Sequence, residues 1–171
     1  TCPFSNLVLG GLRDMNSITQ NYDALKKKHG VNVMHDTVTA IDAGAKKVTL
    51  KSGKTLSYDR LVVSPGIDFK EGSVPGWTTD HADVMPHAYK AGPQTQLLKK
   101  MVEEMPQGGT FAMVAPPNPY RCPPGPYERA CVVADHLKTT QRANCKVLVL
   151  DENLSIQAEK HTFEKAFSQI H

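Results

Sequence analysis

Residues 109–152 read GTFAMVAPPNPYRCPPGPYERACVVADHLKTTQRANCKVLVLDE, and this stretch decides the fold. The apolar run at 110–115 predicts a strand, because short apolar runs that end in Pro or Gly are typical of buried strands. A helical pattern follows at 127–140, and a second apolar run at 145–152 predicts another buried strand. A strand, a helix and a strand of these lengths form a β-α-β unit with parallel strands. The sequence therefore predicts an α/β fold.

The turn between the first strand and the helix, RCPPGPYE at 121–128, contains prolines and Cys122. In dinucleotide-binding proteins this turn is rich in glycine, and its N–H groups bind phosphate. Prolines lack those N–H groups, but they stiffen the turn and so hold the sulfur in place. The helix N-terminus and the neighbouring Arg121 favour the thiolate form of a cysteine. Cys122 is interpreted as a reactive thiol or, alternatively, as a buried structural cysteine.

Glu128 lies in the first turn of the same predicted helix. It is a partner for the positive end of the helix dipole or, alternatively, a general base near the thiol. Cys131 is predicted to lie in the core, and Cys145 in the core or at a strand edge. No CxxC, HxxxH or HExxH pattern occurs in the sequence, so no metal site is expected.

The part of the chain before this unit is predicted to contain a helix at 14–29, a strand at 31–36 and then a hairpin around the turn KSGK. Residues 60–66, RLVVSPG, predict a strand buried on both faces, as in a parallel sheet. Ligands bind at the carboxyl ends of strands in open α/β sheets. Ser64 and Gly66 are therefore candidates for close approach of a nucleotide, and a plain strand and turn is the alternative.

The bulk composition is that of an ordinary soluble globular protein, since 40% of the 171 residues are hydrophobic and 22% are charged. The net charge of +3 is too small to indicate nucleic-acid binding. No apolar run reaches the roughly 20 residues that a membrane span needs. The chain starts abruptly at TCPFSN and stops within a helical pattern, so we expect both ends to be internal to a longer protein.

Residues 67–92 are rich in Gly and Pro and show no persistent period, so they are predicted to connect two units. A helix at 93–105, with proline in its first turn, follows this connector. A last helix is predicted near the end of the chain. The predicted domains are residues 1–75 and 76–171.

Four motifs occur in order along the chain: TCPFSNLVLGG, YDRLVVSPGI, PHAYKAGPQTQLL and PPNPYRCPPGPYERA. Together they resemble the flavoprotein subunit of flavocytochrome c sulfide dehydrogenase, a flavoprotein with two dinucleotide-binding domains. The resemblance implies that residues 1–75 are the C-terminal part of the first FAD-binding segment. Residues 76–171 would then open an NAD(P)-like Rossmann-type domain. It also implies a periplasmic enzyme that oxidises sulfide and passes electrons to a c-type cytochrome subunit.

The resemblance assigns roles to particular residues. Cys122 matches a cysteine that forms a redox-active disulfide next to the flavin, and Glu128 matches an acid near this site that could move protons. The residues that match FAD-binding positions are Cys2, Val38, Ser64, Pro65 and Gly66. Of these, Cys2 matches the cysteine that is attached covalently to the flavin ring.

Two parts of the family pattern are missing from this sequence: the GxGxxG segment and the distal cysteine that pairs with the Cys122 equivalent. We therefore expect the chain alone to bind FAD weakly or not at all and to be inactive. Cys131 is an alternative partner for Cys122. The alternative functions are a sulfide:quinone oxidoreductase-like enzyme and a catalytically silent fragment that binds a partner such as the cytochrome.

Overall fold

A computed structural model describes residues 4–142 and 144–171 of the chain. These residues form two compact units, of which the smaller is Asn21–Asp68. The larger consists of the described residues up to Gln20 together with Phe69–His171. Helices and small sheets occur together, as the α/β fold class predicts. The assignment of residues 1–75 and 76–171 to FAD-binding and NAD-like domains stays a prediction.

The regular elements are numbered in chain order. The helices in the described ranges are α1 (Ser5–Leu9), α2 (Met15–Ile18), α3 (Asp23–His29), α4 (Pro93–Glu104), α5 (Gly125–Thr139) and α6 (Lys160–Lys165). The strands are β1 (Val38–Asp42), β2 (Lys47–Leu50), β3 (Thr55–Ser57), β4 (Thr110–Ala115) and β5 (Lys146–Asp151). A short 3₁₀ turn covers Thr79–His81, and a π-helical turn at Ala166–Ile170 continues α6.

The predicted β-α-β unit is present in the larger unit. Strands β4 and β5 are parallel and in register, from Thr110 opposite Lys146 to Ala115 opposite Asp151. Helix α5 joins them and packs its buried Val133 and Leu137 against Val102 of α4. This packing forms a core in the larger unit, because each helix buries its apolar side chains against the other helix.

Strand β5 differs from the prediction of a fully buried strand. Its side chains alternate between half-buried and exposed, and Leu148 and Leu150 are 46% and 50% exposed. Val114 of β4 is 47% exposed as well. Helix α5 packs on this pair of strands, but within the described part of the chain no second layer buries these three side chains.

Helix α1 packs against both α4 and α5 in the larger unit. Gly10, which follows α1, makes this approach possible, because a Cβ at this position would lie 2.1 Å from Cγ1 of Val132 on α5. The Nδ1 atom of His136 lies 3.2 Å from the carbonyl oxygen of Gly10, which accepts a hydrogen bond from the ring. Helix α1 is therefore fixed along one side of α5.

The predicted helix at 14–29 is interrupted. The carboxylate of Asp14 caps α2 by accepting a 2.8 Å hydrogen bond from the N–H of Ser17, and Gly30 ends α3 with a φ of +65°. Between the two helices, the side chain of Asn21 accepts a hydrogen bond from the N–H of Asp23, which starts a new helix. Residues further along, including Tyr22 and Leu25, are exposed.

The smaller unit contains the predicted hairpin, as β1, β2 and β3 form an antiparallel sheet in chain order. Gly53 turns the chain between β2 and β3 with a φ of +85°. The predicted strand at 31–36 is absent, and so is the buried strand at 60–66. Val62 and Val63 are 87% and 59% exposed. A strand needs a neighbour to pair its main-chain groups, and no described strand lies beside either segment.

Candidate functional site

Cys122 lies in the turn immediately before α5. Its backbone has a φ of +61°, in the left-handed region that a residue with a side chain seldom adopts. The N–H of Gly125, the first residue of α5, donates a 2.9 Å hydrogen bond to the carbonyl oxygen of Cys122. A Cβ at Gly125 would lie only 3.2 Å from Sγ of Cys122. The missing side chain therefore leaves space for the sulfur against the start of the helix.

The thiol of Cys122 is half-buried and free. Cys131 is free as well, so the alternative disulfide between these two cysteines is not formed. Cys131 is only half-buried rather than part of the core, and its burial raises the pKa of its thiol. Cys145 is also half-buried, and its Sγ lies 3.4 Å from the carbonyl oxygen of Pro106.

Hydrogen bonds hold the turn on both sides of the thiol. The hydroxyl of Tyr120 donates a 3.3 Å hydrogen bond to the carbonyl oxygen of Pro123. The N–H of Asn118 donates to the side chain of Asn153, whose amide in turn donates to the carbonyl oxygen of Pro116. Side chains of this chain thus fill the carboxyl edge of β4 and β5, where phosphate binds in dinucleotide-binding folds.

Asp151, at the end of β5, is engaged within the protein. Its Oδ2 accepts a 2.6 Å hydrogen bond from the hydroxyl of Tyr127, and its Oδ1 accepts from the main chain and side chain of Asn153. Burial acts to raise the pKa of Asp151, but these hydrogen bonds outweigh burial and lower it. Burial and the bond to Asp151 raise the pKa of Tyr127. An acid near this position binds ribose in NAD-binding domains, and here both of its oxygens are occupied.

Glu128 is exposed on the first turn of α5 and accepts a 3.2 Å hydrogen bond from the side-chain amide of Asn6. The same amide lies 3.5 Å from the carbonyl oxygen of Gly125. The structure therefore brings three parts of the sequence to one end of α5: the Cys122 turn, Glu128 and α1. Cys2, which stands four residues before Asn6, lies outside the described residues.

Tyr89 and Arg129, to which the sequence analysis gave no role, also belong to the larger unit. Arg129 is 7% exposed, and its guanidinium donates a 3.4 Å hydrogen bond to the carbonyl oxygen of Ala88. Burial raises the pKa of Tyr89 to about 12; the charge of Arg129 opposes this rise, and those of Tyr120 and Cys122 are among those that add to it. The motif PHAYKAGPQTQLL contains Tyr89, but the sequence does not indicate that its hydroxyl is buried.

The other predicted FAD-binding residues belong to the smaller unit. Val38 is 52% exposed at the start of β1. Ser64, Pro65 and Gly66 are exposed in a loop, where Gly66 has a φ of +82° and a Cβ would meet no atom within 4 Å. Exposed main chain with open space beside it fits a ligand that lies along the backbone.

A cleft lies elsewhere in the larger unit, between α5, β5 and the end of the chain. Its volume is about 490 Å³, and its lining includes Leu137, Val147, Phe167 and the basic residue Arg142. Cys122 does not line this cleft. The candidate site is therefore the thiol turn itself rather than this cleft.

The parallel β-α-β unit with a thiol in its first turn defines an α/β protein whose strand-to-helix junction presents sulfur in place of phosphate-binding glycines. Residues 95–171 match the family model described as the central part of the sulfide dehydrogenase (flavocytochrome c) flavoprotein chain. These residues include most of α4 and all of β4, the Cys122 turn, α5 and β5. The resemblance found in the sequence is confirmed over residues 95–171, which are similar to that family.

The description of the family indicates its function in general terms. It describes the flavoprotein chain of a sulfide dehydrogenase, which is an oxidoreductase with a flavin cofactor, and it associates that chain with a cytochrome. Among the helices in the described ranges, none has the length and apolar character that crossing a membrane requires.

Proposed function

We propose that this chain is part of a flavoprotein that oxidises sulfide through a disulfide of Cys122 and passes the electrons by way of FAD to a c-type cytochrome in the periplasm. The observation that carries the proposal is the position of Cys122. Its sulfur lies against Gly125 at the start of α5, in a turn that is rich in proline. The positive end of the helix dipole faces a group in this place, and the stiff turn fixes the direction of the sulfur.

The proposed chemistry is thiol–disulfide exchange. The sulfur of hydrosulfide bonds to one sulfur of the disulfide, the S–S bond breaks, and the other sulfur leaves as a thiolate. When bound, FAD supplies the acceptor for the electron pair that this exchange makes available. The partner cysteine of Cys122 would come from outside these 171 residues.

Glu128 is proposed to move protons at this site. Its carboxylate is exposed, so it exchanges protons with solvent, and the amide of Asn6 holds it at the first turn of α5. A carboxylate in this place can take the proton that hydrosulfide loses when it bonds to sulfur.

The proposed FAD contacts come from two parts of the chain. Cys2 would carry the covalent bond to the flavin, and the chain that follows it, α1, packs on α5, the helix that begins just after Cys122. Val38 and the loop Ser64-Pro65-Gly66 would contact the nucleotide through exposed main chain.

The first test is an intact-mass spectrum of the purified chain under denaturing conditions, together with its flavin absorbance. A mass increase of one FAD on the peptide that contains Cys2 is expected for protein taken from an assembled holoenzyme. An unmodified mass in the holoenzyme would contradict the covalent attachment.

The second test measures sulfide-dependent reduction of a c-type cytochrome by the holoenzyme. Cys122→Ser is expected to lower the rate to background, because the hydroxyl cannot form the disulfide. Cys145→Ser is the matched control and is expected to keep the wild-type rate. An active Cys122→Ser enzyme would contradict the proposal, and reduction of quinone instead of cytochrome would favour the sulfide:quinone oxidoreductase alternative.

A further inference from the structure

Asn6 is a buried polar residue of helix α1, with only 8% of its surface exposed. Its side-chain amide donates a 3.2 Å hydrogen bond to Oε2 of Glu128, and the amide nitrogen lies 3.5 Å from the carbonyl oxygen of Gly125. Both oxygens belong to the first turn of α5, although Asn6 precedes Gly125 by 119 positions in the chain. A buried amide needs hydrogen-bond acceptors, and this amide finds them in the turn that begins just after the Cys122 segment.

The rest of α1 fixes this amide independently of Glu128. Gly10, which follows α1, lies against Val132, and its carbonyl oxygen accepts a hydrogen bond from the ring of His136. These contacts fall about two turns beyond those of Asn6 along α5, so the two helices run side by side in the same direction. The donor therefore meets the carboxylate from a position that packing has already set.

We propose that Asn6 is a positioning residue for Glu128: its amide binds Oε2 and so directs Oε1 to take the proton that hydrosulfide loses. The proposal rests on the proposed function and names the residue that orients the acid in it. In the described part of the chain, no hydrogen bond occupies Oε1. A glutamate has several rotatable bonds, so an exposed carboxylate without a fixed partner points in many directions. The bond from Asn6 restricts these directions before sulfide arrives.

The proton transfer accompanies the formation of the new S–S bond. The S–H bond of hydrosulfide breaks, its proton passes to Oε1 of Glu128, and the electron pair of the old S–S bond leaves with the other sulfur as a thiolate. Glu128 then returns the proton to solvent, to which it is exposed. Helix α1, with the sequence SNLVL, contains no charged residue, so Asn6 orients the carboxylate without adding charge to the site.

The test compares sulfide-dependent cytochrome reduction by the holoenzyme and its variants. Asn6→Asp keeps the shape of the side chain but replaces the donor with a carboxylate that repels Glu128. We expect kcat to fall by about ten- to hundredfold, because displacement of a reacting group by about 1 Å can cost about a hundredfold in rate. The KM for sulfide is expected to stay within about twofold, since Asn6 acts through Glu128 and not on sulfide. Asn16→Asp is the matched control with a wild-type rate, because Asn16 is an exposed asparagine of α2.

A double variant separates the orientation of Glu128 from the packing of α1. Glu128→Gln alone is expected to lower kcat by about a hundredfold or more, because an amide cannot take the proton. In that background Asn6→Asp should cause no further loss of rate, since no acid remains to be oriented. A further loss equal to that in the wild-type background, or a wild-type kcat in Asn6→Asp, overturns the proposal.

Thermal unfolding of the same variants checks the contact without flavin or sulfide chemistry. Asn6→Asp should lower Tm, and the double variant Asn6→Asp/Glu128→Gln should recover most of the loss, because the glutamine amide then donates to the carboxylate at position 6. No recovery would reject the hydrogen bond. A wild-type kcat in Glu128→Gln would reject the proton role of Glu128 in the proposed function, whereas a slow Glu128→Gln with a fast Asn6→Asp rejects the role of Asn6 alone.

Discussion

The contact between Gly10 and Val132 makes a quantitative prediction about how α1 is held on α5. In Gly10→Ala the new Cβ would stand 2.1 Å from Cγ1 of Val132, far inside the contact distance of two carbons, and 3.4 Å from its carbonyl oxygen. Val132 cannot easily turn away, because a β-branched side chain in a helix has one strongly preferred rotamer. Overpacking of this kind costs about 1–3 kcal/mol. The backbone of Gly10, with a φ of −80°, adds no penalty of its own.

The assay is denaturant unfolding of Gly10→Ala, Val132→Ala and the double variant. Val132→Ala removes the obstructing methyl groups, so the double variant is expected to lose at least about 1 kcal/mol less than the sum of the single losses. Gly44→Ala is the matched control, since its Cβ would make an ordinary 3.5 Å contact with the side chain of Asp42. Additive losses in the double variant, or a wild-type stability in Gly10→Ala, would refute the steric argument.

Gly10→Ala is also expected to affect the candidate site. Displacement of α1 weakens the hydrogen bond from Asn6 to Glu128, because Asn6 is part of α1. Asn6→Ala tests this link without the steric clash. Both variants are expected to increase amide exchange in the first turn of α5, and unchanged exchange in both would contradict the connection.

Two further predictions concern single hydrogen-bonded side chains. Tyr127→Phe removes the 2.6 Å bond to Asp151 and should cost about 1.5–3 kcal/mol at neutral pH. Because that bond lowers the pKa of Asp151, its contribution is present above the unfolded value of about 3.9 and is lost as the pH falls through the folded pKa, so unfolding curves of the two proteins should converge in acid. Arg142→Ala should cost about 1–3 kcal/mol in thermal or denaturant unfolding, because its guanidinium binds the carbonyl oxygens of Val102 and Glu103 at the end of α4. Arg142→Lys, which keeps the charge but not the forked geometry, should recover only part of this loss.

The sequence predicted the β-α-β unit well, because the apolar runs at 110–115 and 145–152 and the helix between them are local patterns. It predicted the position of Cys122 at the start of α5 for the same reason. It failed at 60–66, where the apolar composition is that of a buried strand but pairing depends on a neighbour elsewhere. Burial of an apolar strand also depends on whether another layer of the fold covers it, which composition does not reveal. Leu150 of β5 is exposed for this reason.

Two features of the larger unit depend on tertiary contacts and leave no local pattern. Asn6 was noted only as part of a motif, and its bond to Glu128 spans more than 100 positions of the chain. Tyr89 resembles any tyrosine in an irregular segment until Arg129 fixes the residue before it against α5. Helix propensity likewise did not predict the break before α3, since the side chain of Asn21 accepts a hydrogen bond from the N–H of Asp23 and so competes with the helix there.

The close approach of the Cys122 sulfur to Gly125 has a consequence for how such sites can be recognised in other sequences. A side chain at position 125 would push the sulfur away by a few tenths of an ångström, which is enough to spoil the alignment of an attacking atom. The residue type at position 125 is thus as restricted as the residue type at position 122, which carries the sulfur. A homologue that keeps the cysteine but replaces the glycine should have a thiol that points in a different direction. The two positions should therefore be considered together when such sites are sought in other sequences.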